Sequence, residues 1–513
     1  MEIRTSVPQS EVKLHKITKF LSDISYWKKV ISGNSNLLTV RQLCKIGQVV
    51  DVNISDEILN RKVTEVAQCG SRMSRNSLIV QMDEDGDDVV RWGFANGAIA
   101  AITRSQIDNL PCIVVEHPED TYVRMCQYFR CKSSAKMTVV AGSIGKTTTK
   151  RMINSVYSTF YNTFNDPENE NQLPCVGYAV QHIPKLTEMS VQEISEDTPG
   201  CLHKMMQILL PEVAVITAID KSHIEAFGSE QAVYDEVATV LSDMPENGIA
   251  IINLDDKALS KYNPKCVIKT ISINCADADY FAKNIIVKED GLYFSIVEKQ
   301  SGKIFDTFLN HIYAKHNVYT ALYAFVAGVS VGIPYEKCIE GITRFETTGI
   351  RQNVYTDIRE NCIIYADCYN AVAKSVKSAV ETASEIPIKG QRVVVLGDIE
   401  EAGAFSVQTH TEIVEAVNNS KFDVLVVYGM KLKKAVSSMN FRKNLEVVSL
   451  DTKNEIVSFL KKKLKKKDLI LFKASRKSAL ESIIKEMWPI TYKMQMMKYY
   501  WAILKWRLKV IFS

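Results

Sequence analysis

The stretch Met137–Lys150, MTVVAGSIGKTTTK, decides how this chain is read. Met137, Thr138, Val139 and Val140 have strand character, and Arg151 to Phe160 carries apolar residues at helical spacing. Between them lies Gly142-Ser143-Ile144-Gly145-Lys146-Thr147-Thr148-Thr149, in which glycines give way to a lysine and then to hydroxyls. Strand, glycine turn and helix in this order make a phosphate-binding loop. Glycines let the backbone curl until its N–H groups ring an anion, Lys146 adds positive charge, and a threonine hydroxyl can hold magnesium beside the phosphates. The spacer between Gly142 and Gly145 is shorter than in the usual pattern, and a chance Gly/Lys turn is the plainer alternative.

Working outward, 513 residues are too many for one core and suggest roughly three domains. Apolar residues at 46% and charged residues at 24% describe a globular chain with little disorder. The net charge of +4 is too small to argue for nucleic acid, which needs a wide basic field. Twelve cysteines lie scattered without a C-x-x-C pair, and the opening residues MEIRTSVPQS lack the apolar segment of a secretory signal. No apolar run reaches the roughly 20 residues that a spanning helix needs. The expectation is a cytoplasmic protein with reduced thiols.

The pattern divides into three α/β domains and a tail. Residues 1–135 read as a small α/β domain, with a strand at Asn76–Gln81 and a helix from Val89 that leads to the strand AAIT. Residues 136–345 alternate strand and helix: a strand at Met189 to Ile194 carries Glu193, and further strands fall at Val213–Thr217 and Gly248–Asn253. A helix runs from Glu230 to Ser242. Parallel sheets read this way and collect ligands at the carboxyl ends of their strands. In 346–488 the alternation restarts as a second doubly wound, Rossmann-like domain, with strands at 362–367, 392–398, 423–429 and 469–473. The lysine run from Lys461 to Lys467 reads as a solvated helix end. The tail, 489–513, is basic and aromatic after Glu486. It fits a helix lying on an anionic membrane surface, and equally one packed on the body or on a partner subunit.

Several separated segments then fall into one pattern. Gly142 to Lys150, Ser222-His223-Ile224-Glu225 with Phe227-Gly228-Ser229, His316-Asn317-Val318-Tyr319, Asp367-Cys368-Tyr369-Asn370 with Ser375, Leu396-Gly397-Asp398 with Gly403, Ser406 and His410, and Lys473 to Arg476 occur in that order. In these pieces the chain resembles the Mur ligases, most nearly the branch that adds D-alanyl-D-alanine to a UDP-muramoyl-tripeptide. The resemblance implies a three-domain α/β architecture with a central P-loop ATP-binding domain and a Rossmann-like ligase domain. It also implies ATP and magnesium as cofactors, a UDP-linked carboxylate precursor, and an amino acid or dipeptide as the amine. A carboxylate would take the γ-phosphoryl group to form an acyl phosphate, and the amine would displace phosphate.

By the same resemblance Gly142, Ser143, Gly145, Lys146, Thr147 and Thr148 would cradle the phosphates, and Thr147, Glu193 and His223 would hold metal. Lys146, Glu193 and His223 would form the catalytic set. Asn317 would contact adenine and Asp367 ribose, with Arg351 near a domain junction. The bland readings stand beside these: a helix cap or surface acid for Glu193, a structural histidine for His223, a helix cap for Asp367. One departure bears on activity. The family carries a carbamylated lysine in the helix after the Phe-Gly-Ser turn, and an ungapped count puts Val237 there. Asp235 and Glu236 are adjacent, but one helical position turns a side chain by about 100°. The competing reading is a catalytically impaired relative that keeps the fold and attaches to a membrane or a synthase complex.

Overall fold

The computed structural model describes residues 37–68, 73–166, 170–219, 227–262, 264–347, 349–369, 371–400 and 406–512, and these fall into two compact units. One holds the described residues up to Ile271, with Val326–Pro334 and the chain from Ile503; the other holds Ser272–Phe325 and Tyr335–Ala502.

The first unit contains two sheets. Strands β1 (Val66–Ala67), β2 (Leu78–Val80), β3 (Ala100–Thr103) and β4 (Cys112–Val114) pair in sequence order, all parallel. The strand expected at Asn76–Gln81 shortens because Asn76 takes the left-handed conformation, φ 63°, which breaks extended backbone. The helix expected from Val89 begins at Asp87, behind Gly86. In the second sheet β5 (Lys136–Ala141), β6 (Thr163–Asn165), β7 (Met189–Glu193), β8 (Val213–Ile216), β9 (Ile249–Asn253) and β10 (Val267–Ser272) run in the order β10-β9-β8-β5-β7-β6, every pair parallel. Strand β5 sits where the order reverses, with β7 on one side and β8 on the other. Ligands gather at the carboxyl ends of strands at such a point.

One apolar core joins the two sheets, with Val66, Leu78 and Ile102 in the same cluster as Tyr122, Val139, Leu202 and Ile216. Polar contacts add direction to it. Tyr122 Oη donates to the Pro174 carbonyl at 3.0 Å. The Gln181 carboxamide, at the end of the helix Leu173–Gln181, both donates to Val66 O and accepts from Val66 N at 2.8 Å.

The tail forms a helix, Pro489–Phe512. Its part in the first unit is packed: Ile503 and Trp506 are buried, Trp506 stacks on Phe164 with ring centroids 6.2 Å apart, and Lys509 Nζ donates to Thr163 O at 2.9 Å. Replacing Trp506 by alanine is expected to lower stability by about 3 kcal/mol, as loss of a buried aromatic does. A thermal melt with and without anionic vesicles checks this. A variant that melts like wild type while losing vesicle binding would restore the membrane-surface reading. Among the described residues no helix is long and apolar enough to cross a membrane.

The second unit departs from strict alternation. Strands β11 (Tyr280–Lys288), β12 (Gly291–Glu298) and β13 (Ile304–Asn310) form an antiparallel meander, where the sequence reading expected strand and helix in turn. The Asp290-Gly291 and Ser301-Gly302 pairs are hairpin signals of the kind that tight antiparallel turns require. A six-stranded sheet follows, β14 (Asn353–Thr356), β15 (Ile363–Asp367), β16 (Arg392–Gly397), β17 (Val424–Tyr428), β18 (Glu446–Leu450) and β19 (Leu469–Lys473). Its order is β14-β15-β19-β16-β17-β18, with only β14 antiparallel. The lysine run closes the helix Lys453–Lys463 with Lys461, Lys462 and Lys465 to Lys467 exposed, a solvated end that suits the negative pole of the helix. The early tail packs here through Tyr492, which joins a core with Tyr355, Phe472 and Trp488, and through Thr491, which donates to Asp357 at 2.6 Å.

Candidate active site

In the first unit the loop leaves β5 at Ala141 and enters the helix Lys146–Tyr157 directly. Gly142 and Gly145 hold φ of 113° and 91°, values that side chains resist. A Cβ on Gly142 would meet Thr217 Oγ1 at 2.6 Å, so this glycine also serves a close approach to the end of β8. The N–H groups of Ser143 and Ile144 both donate to Ala218 O, at 3.0 and 2.9 Å. That backbone bridge pins the loop to β8 with an isoleucine on one side and an alanine on the other, so it needs no polar side chain. Gly145, at the N-cap, has no side chain with which to cap the helix. An uncapped helix start presents amide donors and the positive end of the dipole to an anion.

Charged side chains close round the loop. Lys146 is buried, its Nζ 3.4 Å from Glu196 Oε2, and Ser143 Oγ donates to Glu196 Oε1 at 2.6 Å. Glu193, fully buried at the end of β7, accepts from Thr147 Oγ1 at 3.2 Å and from Asn171 Nδ2 at 3.0 Å. Its other oxygen lies 3.2 Å from Lys150 Nζ, near enough for an ion pair, yet it accepts no hydrogen bond. A buried carboxylate oxygen in that condition, beside a threonine hydroxyl, is a hard-oxygen donor set suited to magnesium. Magnesium is commonly held by one or two protein oxygens with substrate phosphates supplying others. No group of three or more His, Cys, Asp or Glu side chains able to hold a metal occurs among the described residues. His223 lies outside the described residues. Thr148 is half-buried in the first helical turn.

Reading the sequence passed over three of these groups. Lys150 stands four residues after Lys146, hence on the same helical face, and that spacing was a usable signal. Asn171 lies in a polar stretch whose local pattern does not single it out. Glu196 opens Glu196-Asp197-Thr198-Pro199-Gly200, whose residues are those of a turn, and its complete burial comes from packing that no local pattern reports. The thiol nearest this turn, Cys201, donates to Ser195 O at 3.3 Å and is pushed up to about 11 by burial, so it is no nucleophile.

The helix Glu230–Ser242 disposes of both carboxylates beside Val237. Val237 is fully buried in the core with Val233 and Val240. Glu236 accepts from Gly200 N at 2.8 Å and Leu202 N at 3.0 Å, capping the helix Cys201–Leu209. Asp235 is exposed and accepts from Tyr262 Oη at 2.7 Å and Gln231 Nε2 at 2.9 Å. Both are engaged away from the phosphate loop. Glu236→Ala strips two amides of their acceptor and is expected to cost about 2 kcal/mol in urea unfolding, with Asp235→Ala within about 0.5 kcal/mol of wild type. Equal effects from the two would show that Glu236 is not the cap.

The remaining candidates lie in the second unit. Asp367 ends β15 and Lys473 ends β19 in direct register, and their side chains pair at 2.8 Å with 4% and 3% exposure. Asp367 Oδ1 also accepts from Gln352 N at 3.2 Å, so the acid anchors a turn and a lysine rather than capping a helix. Arg351 lies over the Tyr369 ring at 5.0 Å. His316 Nε2 is 3.4 Å from Gln352 Oε1, which puts the histidine of the His-Asn pair in the same cluster. Asn317 is buried at the start of the helix Asn317–Ser330, with Nδ2 donating to Ala314 O at 3.3 Å.

The family model of the Mur ligase middle domain matches residues 140–328, and that of the Mur ligase glutamate ligase domain matches residues 350–476. The UDP-N-acetylmuramoyl-tripeptide--D-alanyl-D-alanine ligase of Bacillus subtilis is 29% identical over 411 residues, 79% of this chain and 88% of that protein. Among solved structures, MurF from Acinetobacter baumannii superposes with a TM-score of 0.74 at 21% identity, covering 88% of this chain and 99% of that one. MurF ligase from Thermotoga maritima in complex with ADP gives 0.70 at 22% identity, covering 85% and 98%. The loop, the strand order and the matched segments agree: this chain belongs to the Mur ligase family.

Proposed function

We propose that this chain is an ATP-dependent ligase that joins an amine of the D-alanyl-D-alanine class to a carboxylate of a UDP-linked peptide precursor in cell-wall synthesis. The observation that carries the reading is the meeting of Ser143, Lys146, Thr147 and Glu193 at the carboxyl ends of β5 and β7. A curated relative with this activity aligns over most of both chains. ATP and a reduced, cytoplasmic setting follow from the reading, and the described cysteines are all free thiols.

The chemistry asks for charge neutralisation and placement. A precursor carboxylate oxygen attacks the γ-phosphorus of ATP; the bond to the β,γ-bridging oxygen breaks, giving an acyl phosphate and ADP. The amine nitrogen then attacks the acyl carbon, loses a proton, and the C–O bond breaks to release phosphate and leave an amide. Lys146 holds positive charge at the loop, and the uncapped helix start directs amides at the same anion. Thr147 and Glu193 would hold magnesium, which when bound neutralises phosphate oxygens.

The test is phosphate release from ATP with a panel of UDP-peptide precursors and dipeptides. Release that depends on both partners is the expected result. ATP uptake without such release across the panel would overturn the ligase reading in favour of a nucleotide-binding relative.

A further inference from the structure

The phosphate cradle already holds an anion of its own. Glu196 is fully buried, and its two carboxylate oxygens are divided between Ser143 Oγ at 2.6 Å and Lys146 Nζ at 3.4 Å. These are the loop hydroxyl and the loop cation that an incoming phosphate would engage. The carboxylate is not turned away from the loop, since both of its oxygens face loop side chains. Nor is it a surface acid that turns inward by chance, because Glu193 and Lys150 complete a second buried pair beside it, both side chains at 0% exposure. The site therefore holds two carboxylates against two ammonium groups, in surroundings where charge interactions are weakly screened. A polyphosphate adds negative charge to this balanced set and must take Lys146 and Ser143 from Glu196.

We propose that Glu196 is a built-in competitor for the phosphate cradle: nucleotide enters by displacing its carboxylate from Ser143 and Lys146, so that uptake is linked to a divalent cation that offsets the displaced charge. The proposal rests on the nucleotide-binding part of the reading above and goes beyond it. It assigns Glu196 as a positioning residue that sets affinity and cation dependence. It also accounts for a completely buried acid in a segment, Glu196 to Gly200, whose local sequence is that of a turn.

The test is calorimetric titration of ATP into the full chain, with magnesium and with EDTA, for wild type, Glu196→Gln and Glu196→Ala. Glutamine keeps the shape and the hydrogen bond to Ser143 while removing the charge. Both variants are expected to bind ATP in EDTA at least about tenfold more tightly than wild type, and the ratio of affinities with and without magnesium is expected to shrink accordingly. Melting temperatures of the free proteins report whether each variant is folded, and the alanine variant stands in should glutamine fail. Unchanged affinities in both arms would overturn the proposal and leave Glu196 as a structural partner of Lys146. Weaker binding of ATP with magnesium by the glutamine variant would overturn it too, because the carboxylate would then support the bound state. ATP uptake by neither wild type nor variants would overturn it together with the ligase reading, a result distinct from equal uptake by all.

Discussion

Lys146→Ala is expected to lower precursor- and amine-dependent phosphate release by about 10²- to 10³-fold, the usual effect of removing one preorganised stabiliser of a developing anion. Lys146 is the loop cation closest in sequence to the uncapped helix start, and it is buried, so its charge acts where solvent does little to weaken it. The substitution also takes a cation from the buried Glu196 carboxylate, so a loss of folding stability accompanies the loss of rate. Pairing Lys146→Ala with Glu196→Ala separates the two. The double variant should regain stability and stay inactive, as read by urea unfolding and by the phosphate assay. Activity within about tenfold of wild type for the single variant would remove Lys146 from the chemistry.

The second large effect is on folding. Lys473→Ala is expected to destabilise the six-stranded domain by about 3–5 kcal/mol, because it leaves the Asp367 carboxylate buried without its counter-ion. The pair joins the ends of β15 and β19, the middle of that sheet, so the loss falls on strands with no solvent-facing edge. Combining Lys473→Met with Asp367→Asn removes both charges and should recover most of the stability, since a neutral pair of similar volume avoids the unpaired charge. Denaturant midpoints decide. A cost below about 1 kcal/mol for Lys473→Ala would mean that water reaches the pair.

Much of the parallel architecture was legible because its strands are short apolar runs buried on both faces, and such runs stand out in a sequence. Strand β5 was read within a residue at either end, and the helix Glu230–Ser242 was read as it lies, with Ser229 capping Ala232 N at 3.1 Å. The helix after the loop was read five residues late: three consecutive threonines hide a start that is dictated by Gly145 and by loop closure instead of helix propensity. The antiparallel meander was missed because a strand such as Tyr280–Lys288 is interrupted by a register shift between Lys283 and Ile286, where Asn284 takes φ 55°, so its apolar residues keep no single period. At the site, residue types and chain order pointed to Ser143, Lys146, Thr147 and Glu193, which do lie together. Their roles stand as proposals. Glu196 was invisible because a buried acid is recognised by its surroundings, and those include the loop and the start of its helix, fifty or more residues away.

The Gln181 carboxamide on Val66 carries one more implication. Strand β1 is the outermost strand of the four-stranded sheet, and an outermost strand offers its backbone to any passing chain. By giving Val66 both a donor and an acceptor, a single side chain imitates the next strand and closes the sheet without adding one. The chain thereby guards an aggregation-prone border with one residue from the end of a neighbouring helix.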